Sequence, residues 1–458
     1  MKVRHDLDEA FFEEGFNERT DPFQLKDFAE KLTHIFSQLE HGTVAILDGR
    51  WGTGKSVFAR QWANHLKNSG TPSIYFDAFA ADYVEHPFTA VSAAFIKAAA
   101  KVRRNNQPSY DRLLTNIARA SKRIGATAAK VGVKAATLGI VDAAAIDAVA
   151  SIKDDLADAL GDISEEVVKA ALEEHASDEA VFEELKNSLK DLPNLLDVKD
   201  REEGEESHRS LVVIIDELDR CRPDFALGVL ETLKHFFRSD RIHFVLVTNV
   251  NHLLLSVNHR YGMSEAALEY IQKFYDFIIH FEQPFAHDAN TRSTIHARRV
   301  LHRLLPDKVR NNMGEDVSEN IGVICRAYDL SLRQTEALVT NVVFAYLAIR
   351  QKEYRPTFLV CFLAVIKTLK PNLFRDIKNR SLDHEEIGQF YRQGKWPESF
   401  DHNRGHDLIV YLTNPHIEEN DDVYKEFRIM LRNFHFLSRL GVFTYLANGV
   451  LDRFGRFE

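Results

Sequence analysis

One segment near the N-terminus constrains the fold most, because it joins a buried strand to a helix through a glycine-rich turn. Residues 44–47 are apolar and follow Thr43, and Gly49-Arg50-Trp51-Gly52-Thr53-Gly54-Lys55-Ser56 comes after Asp48. The apolar run predicts a strand of a parallel sheet, since such strands are buried on both faces. Glycines permit the backbone torsions of a tight loop, and a helix is predicted from Lys55 to about Lys67.

The residue types in this turn fit the chemistry of a nucleoside triphosphate. Gly49-x-x-x-x-Gly54-Lys55-Ser56 matches the Walker A pattern in full. The N–H groups of such a loop point inward at a polyphosphate, and the N-terminus of the next helix favours negative charge. We expect Lys55 to contact the β- and γ-phosphates and the Ser56 hydroxyl to bind Mg²⁺. The predicted nucleotide-binding residues are Gly49, Trp51, Gly52, Thr53, Gly54, Lys55, Ser56 and Val57.

A later apolar segment ends in two carboxylates. Five apolar residues, Leu211–Ile215, precede Asp216 and Glu217. These carboxylates are expected at the carboxyl edge of the sheet, where open α/β sheets bind ligands. Asp216 is predicted to hold Mg²⁺, and Glu217 to act as the general base that polarises the attacking water. The alternative interpretation is that both residues cap the helix that follows.

Further polar residues complete the candidate site. Asn249, at the end of a predicted strand, is expected to contact the γ-phosphate or orient the water, with Thr248 in reserve; alternatively, Asn249 caps the next helix. Phosphoryl transfer usually requires an added cation, from this chain or from a neighbouring subunit. The candidates for that cation are Arg220, Arg222, Lys273 and Arg333. The sequence Asn249-Val250-Asn251-His252 does not fit the guanine-reading NKxD motif, which favours ATP over GTP.

Predicted strands and helices alternate along the first 285 residues. The strands are predicted at 43–47, 73–77, 211–216, 242–248 and 277–281, and an amphipathic helix at 24–41 begins after Asp21-Pro22. This alternation predicts an α/β fold, a parallel-sheet P-loop NTPase core with helices on both faces.

Long segments without strand patterns set the predicted domains. The stretch of chain between the second and third strands is too long for a simple crossover, so we predict a helical insertion at about 88–205. Helical periodicity dominates after residue 285. The predicted domains are a core at 1–285, a helical lid at 286–370 and a C-terminal helical region at 371–458.

Charge and composition limit the partners. The net charge of −10 disfavours generic polyanion binding, but residues 101–134 hold nine Lys or Arg and one acid. That stretch either binds nucleic acid or an anionic membrane surface, or pairs with acidic helices at 154–172. Charges interrupt the apolar stretch at 123–152, which predicts packed helices and no transmembrane segment. Three scattered cysteines fit a reducing compartment, and we expect a cytoplasmic protein.

Several motifs together resemble those of the KAP-type P-loop NTPases, over roughly residues 20–350. Trp51–Ser56 is similar to the family's WGxGKS loop, and Ile215–Cys221 to its extended Walker B pattern, IDxLDRC. Tyr75–Phe79 resembles the F-x-A-W segment with phenylalanine in place of tryptophan, and Tyr270–Phe274 resembles the Y-x-x-K-hydrophobic segment. Ser331-Leu332-Arg333 lies where the family often has a Pro-Arg pair in a helical lid, and lacks the proline.

The resemblance implies an ATPase that couples nucleotide state to conformational change or assembly, with a protein partner or as a homo-oligomer. Many members carry two transmembrane helices in the insertion, and this sequence departs from them there. Bacterial members similar to this chain are often tied to phage exclusion, which implies an ATPase of an antiviral defence complex. Two alternatives stay open: a nucleotide-gated scaffold with little hydrolysis, and a nucleic-acid or membrane-surface binder that uses residues 101–134.

Overall fold

The structure is a computed structural model of the 458-residue chain. It describes residues 9–84, 86–100, 107–124, 183–196, 210–234, 239–263, 266–281, 292–305, 315–348, 357–381, 384–398, 400–414, 416–418, 422–432 and 439–452. The chain divides into two compact units. Among the described residues, the sheet unit holds those of 9–49 and 55–281, and the helical unit holds those of 50–54 and 292–452.

The sheet unit is built around five parallel strands. They are β1 (Val44–Asp48), β2 (Ser73–Asp77), β3 (Leu211–Asp216), β4 (Ile242–Thr248) and β5 (Phe277–His280). Their order across the sheet is β2-β3-β4-β1-β5, and every neighbouring pair is parallel. The predicted parallel sheet is therefore confirmed, with each strand within one residue of its predicted bounds.

Alternating side chains of each central strand pack against helices on opposite faces. Val212 and Ile214 of β3 belong to a buried cluster with Phe36, Phe58 and Trp62 of two helices on one face. Leu211, Val213 and Ile215 belong to a second buried cluster on the other face. Because both faces are covered, β3 and β4 are buried along their whole length, which explains why these strands are apolar apart from His243 and Thr248 of β4 and Asp216 of β3.

The helices of the sheet unit follow the predicted alternation with the strands. Those described are Glu9–Glu13, Lys26–Ser37, Lys55–Asn68, Pro87–Ala100, Gln107–Ile124, 183–190, Leu192–Leu195, Pro223–Thr232, Val250–Tyr261 and Ala267–Gln272. The predicted insertion contributes four of these, from Pro87–Ala100 to Leu192–Leu195. Its middle, 125–182, lies outside the described residues, as do the acidic helices predicted at 154–172.

Two basic side chains of the stretch 101–134 pair with acids of the same unit. Arg119 Nη1 lies 2.7 Å from Glu184 Oε2, and Arg112 Nη1 lies 3.6 Å from Asp191 Oδ2. Among the described residues, no helix has the length and apolarity needed to cross a membrane. Most of the segment 123–152 lies outside them, so its packing stays a prediction, as does the cytoplasmic location.

The described residues of the helical unit from 292 onward contain helices and no strand. The helices are Arg292–Leu304, Glu315–Ala327, Leu332–Ala348, Thr357–Leu369, Pro371–Lys378, His384–Arg392, His402–Thr413, Lys425–Leu431 and Val442–Tyr445, followed by a π-helical turn at Leu446–Asp452. One buried cluster runs from Ala297 to Leu451 and includes residues on both sides of position 370. The prediction that the C-terminal part is α-helical is confirmed. Its division at residue 370 into a lid and a C-terminal region stays a prediction.

Candidate functional site

The loop between β1 and helix Lys55–Asn68 depends on two glycines with left-handed backbones. Gly52 has φ 77° and Gly54 has φ 94°, in a region that residues with a Cβ rarely adopt. Gly49 enters the loop with its N–H donated to the Thr248 carbonyl at 3.3 Å. The Thr53 hydroxyl donates to the Arg50 carbonyl at 2.8 Å. Gly49 is therefore tied to the sheet edge, and the turn Arg50–Gly54 is closed by its own side chain.

The turn of this loop also makes contacts inside the helical unit, to which Arg50–Gly54 belongs. A Cβ on Gly52 would lie 2.8 Å from Arg333 Cβ, and one on Gly54 would lie 3.3 Å from Leu332 Cδ1. The Arg333 N–H donates to the Gly52 carbonyl at 3.4 Å. Close approach is thus a second reason why position 52 requires glycine. The Trp51 side chain is exposed, and Val57 is partly buried in the first turn of the next helix.

A capping box places Arg333 beside the loop. The Ser331 N–H donates to Gln334 Oε1 at 2.9 Å, and the Gln334 N–H donates to Ser331 Oγ at 3.3 Å. This reciprocal pair satisfies two backbone donors at the start of helix Leu332–Ala348. Arg333 therefore lies in the first turn, with an exposed side chain. Its role in catalysis stays a prediction.

Lys55 is a buried cation next to several carboxylates. Its ammonium group donates to the Gly49 carbonyl. Burial lowers the pKa of Lys55, and the carboxylates of Asp219, Asp216 and Asp48 act in the opposite direction. An ammonium group that has lost hydration gains strongly from an anionic partner. Its position at the end of the loop is the one that the Walker A pattern predicts for a phosphate contact.

The carboxylates predicted on β3 meet Ser56. Ser56 Oγ lies 3.3 Å from Asp216 Oδ1 and 3.4 Å from Glu217 Oε1. β4 lies between β1 and β3, so the two motifs meet across one intervening strand at the carboxyl edge of the sheet. Asp216 is 1% exposed, and burial raises its pKa, whereas hydrogen bonds from Tyr75 and Ser56 act in the opposite direction.

Glu217 has a left-handed backbone, with φ 60° and ψ 26°. Its carboxylate binds Arg220, with 3.0 Å between Arg220 Nη2 and Glu217 Oε1. Burial raises the pKa of Glu217, and the positive charge of Arg220 opposes that rise. A carboxylate that is partly desolvated accepts a proton more readily than an exposed one. The structure thus brings Arg220, of the four candidate cations, onto the carboxylate predicted to be the base.

Asn249 serves the helix that it precedes. Its Oδ1 accepts a hydrogen bond from the Asn251 N–H at 3.1 Å, which caps helix Val250–Tyr261. Thr248 is fully buried, and its hydroxyl has no hydrogen-bond partner within the described parts of the chain. A contact of either residue with the γ-phosphate stays a prediction. The other two candidate cations pair elsewhere: Arg222 Nε lies 3.1 Å from Asp82 Oδ1, and Lys273 Nζ lies 5.8 Å from the Tyr270 ring centroid.

Three residues of this edge were missed by the motif-based reasoning. The Tyr75 hydroxyl donates to Asp216 Oδ2 at 2.7 Å. Asp48 Oδ1 accepts from the Val250 N–H at 2.9 Å, and Asp219 Oδ2 accepts from the Asn249 N–H at 3.0 Å. The two aspartates hold the end of β4 next to the loop. Each contact joins residues far apart in sequence, so the signal becomes visible only when the strand order is known.

The oxygen atoms at this edge fit a magnesium ion. A serine hydroxyl and an aspartate carboxylate converge, and Mg²⁺ prefers oxygen ligands and takes few of them from protein. Within the described residues, no group of three His, Cys, Asp or Glu side chains is arranged to hold a metal. Ser56 and Asp216 stay the predicted ligands of Mg²⁺, because Ser56 Oγ lies 3.3 Å from Asp216 Oδ1 at this edge.

A match to a protein-family model agrees with this geometry. A family model described as the KAP family P-loop domain matches residues 25–348. Among solved structures, the chain is similar to the Aeropyrum pernix ORC2 protein in ADPNP–ADP complexes, at 13% identity and a TM-score of 0.32, with 94% of this chain and 99% of that chain covered. No curated protein matches significantly. The family match covers most of the chain and both phosphate-site motifs, and the protein belongs to the KAP family of P-loop NTPases.

Proposed function

We propose that the protein binds and hydrolyses ATP with Mg²⁺. The observation that carries this proposal is the convergence of Lys55, Ser56, Asp216 and Glu217 at the carboxyl edge of a parallel sheet. These side chains supply the cation, the metal ligands and the base that phosphoryl transfer to water needs. The absence of the guanine-reading NKxD motif after β4 supports ATP over GTP.

Each side chain has a distinct role in the proposed reaction. The loop amides and the ammonium of Lys55 orient the triphosphate and stabilise the charge that develops on it. Ser56 and Asp216 would hold Mg²⁺, which would neutralise phosphate charge. Glu217 accepts a proton from the water that attacks the terminal phosphorus, while the bond to the ADP oxygen breaks.

Mutants of the base and the loop lysine test this assignment. Glu217→Gln should lower the turnover number about 10²- to 10⁴-fold, the usual contribution of a general base, and leave ATP binding intact. Lys55→Ala should lower ATP affinity as well as turnover. Glu269→Gln and Lys31→Ala make the same chemical changes at exposed positions of the sheet unit and should match the wild type. Equal Mg²⁺-ATP turnover in wild type and Glu217→Gln would exclude Glu217 as the base.

A second candidate function is a nucleotide-gated scaffold with little hydrolysis of its own. The ion pair between Arg220 and Glu217 favours this scaffold function, because a carboxylate bound to a guanidinium is a weaker base. Measuring turnover per subunit against protein concentration distinguishes the two functions. Turnover that rises with concentration supports an ATPase completed by a neighbouring subunit, whereas tight ATP binding without turnover at any concentration supports the scaffold.

The proposed biological role is to couple nucleotide state to conformational change or assembly. The contacts of Gly52 with Arg333 support coupling within the helical unit, and resemblance to bacterial relatives supports an antiviral defence complex. Phage plating on bacteria that produce the protein tests the latter. Protection that the Lys55→Ala variant abolishes would support it, and equal plating with and without the gene would contradict it.

A nucleic-acid partner is a further alternative. The pairing of Arg112 and Arg119 with acids leaves less of the basic stretch 101–134 for phosphate contacts. A gel shift with DNA and RNA at low salt tests it, using a variant in which the basic residues of 101–134 are reversed in charge. A salt-sensitive shift that this variant loses would support binding, and no shift at low salt would exclude it.

A further inference from the structure

Tyr75 reaches from a neighbouring strand to the carboxylate proposed to hold the metal. In the register of β2 and β3, Tyr75 pairs with Ile214 and Asp77 pairs with Asp216. Side chains two residues apart on a strand point to the same face, so Tyr75 and Asp216 share the face covered by helix Lys55–Asn68. The tyrosine hydroxyl lies 2.7 Å from Asp216 Oδ2.

This contact divides the two oxygens of Asp216 between different tasks. Oδ2 accepts the Tyr75 hydroxyl. Oδ1 accepts the Glu217 N–H at 2.8 Å and lies 3.3 Å from Ser56 Oγ, the other proposed metal ligand. A tyrosine hydroxyl carries one O–H donor, and a carboxylate oxygen can only accept, so Tyr75 donates this hydrogen bond. The carboxylate plane is therefore fixed from the side opposite Ser56.

The tyrosine ring is itself held in place by an arginine. Arg60 Cζ lies 5.0 Å from the Tyr75 ring centroid, and Arg60 Nη2 lies 3.6 Å from Asp77 Oδ2. Arg60 follows Ser56 by four residues, so both project from one face of the same helix. Ser56, Asp216, Tyr75 and Arg60 therefore form a closed chain of contacts that starts and ends on this helix.

We propose that Tyr75 is the positioning residue for Asp216, and that it sets the affinity of the site for a divalent cation. This inference rests on the proposed function only in taking Asp216 as a metal ligand. Partners that hydrogen-bond a metal-binding carboxylate orient it, and their loss typically weakens metal affinity about 10- to 100-fold. Tyr75 does not touch the reacting atoms in this scheme, so the maximal rate should depend on it little.

Tyr75→Phe tests the inference, because it removes one oxygen and keeps the ring. The affinity for a fluorescent ATP analogue that is not hydrolysed is measured over a range of Mg²⁺ concentrations. The Mg²⁺ concentration at which this affinity reaches half its maximum should rise about tenfold or more. Analogue affinity in EDTA should stay unchanged. The turnover number at saturating Mg²⁺ should stay within about threefold of wild type, since P-loop contacts and the base are intact. The electron paramagnetic resonance spectrum of bound Mn²⁺ should also change.

Two further variants separate positioning from a loss of fold. Tyr83 is exposed on the same unit, and Tyr83→Phe should leave the Mg²⁺ dependence at the wild-type value. Arg60→Gln keeps the hydroxyl and loosens the ring, and should shift the Mg²⁺ dependence in the same direction by a smaller factor. An unchanged Mg²⁺ dependence in a folded Tyr75→Phe variant would overturn the inference. Because binding is read without hydrolysis, a wild-type protein that does not turn over ATP would overturn the proposed ATPase and leave this test intact.

Discussion

At the scale of single residues, Gly52 carries two independent constraints. Its φ of 77° lies where side chains cost energy, and a Cβ there would come within 2.8 Å of Arg333 Cβ. Gly15 has a similar φ of 65°, but nothing lies within 4 Å of a Cβ built on it. The two glycines therefore separate the cost of backbone strain from the cost of collision.

Alanine substitution at these two positions should give different losses of stability. Gly15→Ala should lower the free energy of unfolding by about 1–2 kcal/mol, the cost of a left-handed backbone. Gly52→Ala should lower it by about 2–4 kcal/mol, because overpacking adds to the strain, and should weaken ATP binding by displacing the loop. Chemical denaturation and nucleotide titration measure both effects. Equal losses at the two positions would show that the contact with Arg333 costs nothing.

At the scale of elements, β4 carries a histidine where its apolar pattern is broken. His243 is fully buried, and neither ring nitrogen has a hydrogen-bond partner in the described part of the protein. Its ring lies 5.6 Å from that of Phe36, between centroids. Burial lowers the pKa of His243 to about 4. The imidazole is therefore neutral in the folded protein at pH 5, whereas in the unfolded chain it is largely protonated at that pH.

This difference in protonation makes the stability of the sheet unit fall in acid. Between pH 6.5 and about 4, the unfolded state binds more protons than the folded state. The free energy of unfolding is therefore highest above pH 6.5 and decreases as the pH falls through this range. From pH 7 to pH 5 the contribution of His243 should fall by about 2 kcal/mol. His243→Leu should remove that part of the pH dependence, measured by denaturation at both pH values. The same change at exposed His259 should preserve it, and identical pH profiles for His243→Leu and wild type would contradict the prediction.

How far the sequence predicts an element depends on whether its determinants are local. The apolar runs of β3 and β4 gave the observed bounds, because burial on both faces is written into consecutive residues. The helix predicted at 24–41 is shorter, Lys26–Ser37. It begins later than predicted because Gln24 has a φ of 54° and Asp21 accepts the N–H groups of Leu25 and Lys26. Asp21 does mark the start of this helix, but it holds a turn before the first helical residue.

Contacts between residues on different strands could not be predicted from the sequence. Walker A and Walker B residues could be named from spacing alone, because their chemistry requires fixed residue types in a short segment. Tyr75 could not, because its contact with Asp216 exists only through the pairing of β2 with β3. Asn249 shows the same limit in reverse, since a polar residue at a strand end suits both a phosphate contact and a helix cap, and the hydrogen bond to Asn251 is local.

At the scale of the whole molecule, the chain passes from the sheet unit to the helical unit and back within the Walker A segment. Gly49, Lys55 and Ser56 belong to the sheet unit, whereas Arg50–Gly54 belong to the helical unit. Within the helical unit, Arg50 Nη2 binds Asp329 Oδ2 at 2.8 Å and the Gly52 carbonyl accepts the Arg333 N–H. A nucleotide bound to the loop, as proposed, would therefore act on residues of the helical unit.

Hydrogen exchange should detect this coupling. A non-hydrolysable ATP analogue should slow exchange in the first turn of helix Leu332–Ala348 about fivefold or more, a usual size for coupling between sites. Opening this turn breaks the hydrogen bond from the Arg333 N–H to the Gly52 carbonyl. Bound nucleotide would hold that carbonyl in place and so make the opening rarer. Helix His402–Thr413 of the same unit provides the internal control and should exchange at an unchanged rate. Lys55→Ala should abolish the protection at the same analogue concentration. If the first turn of the wild-type protein exchanges equally with and without analogue, the loop binds nucleotide without restraining the helical unit.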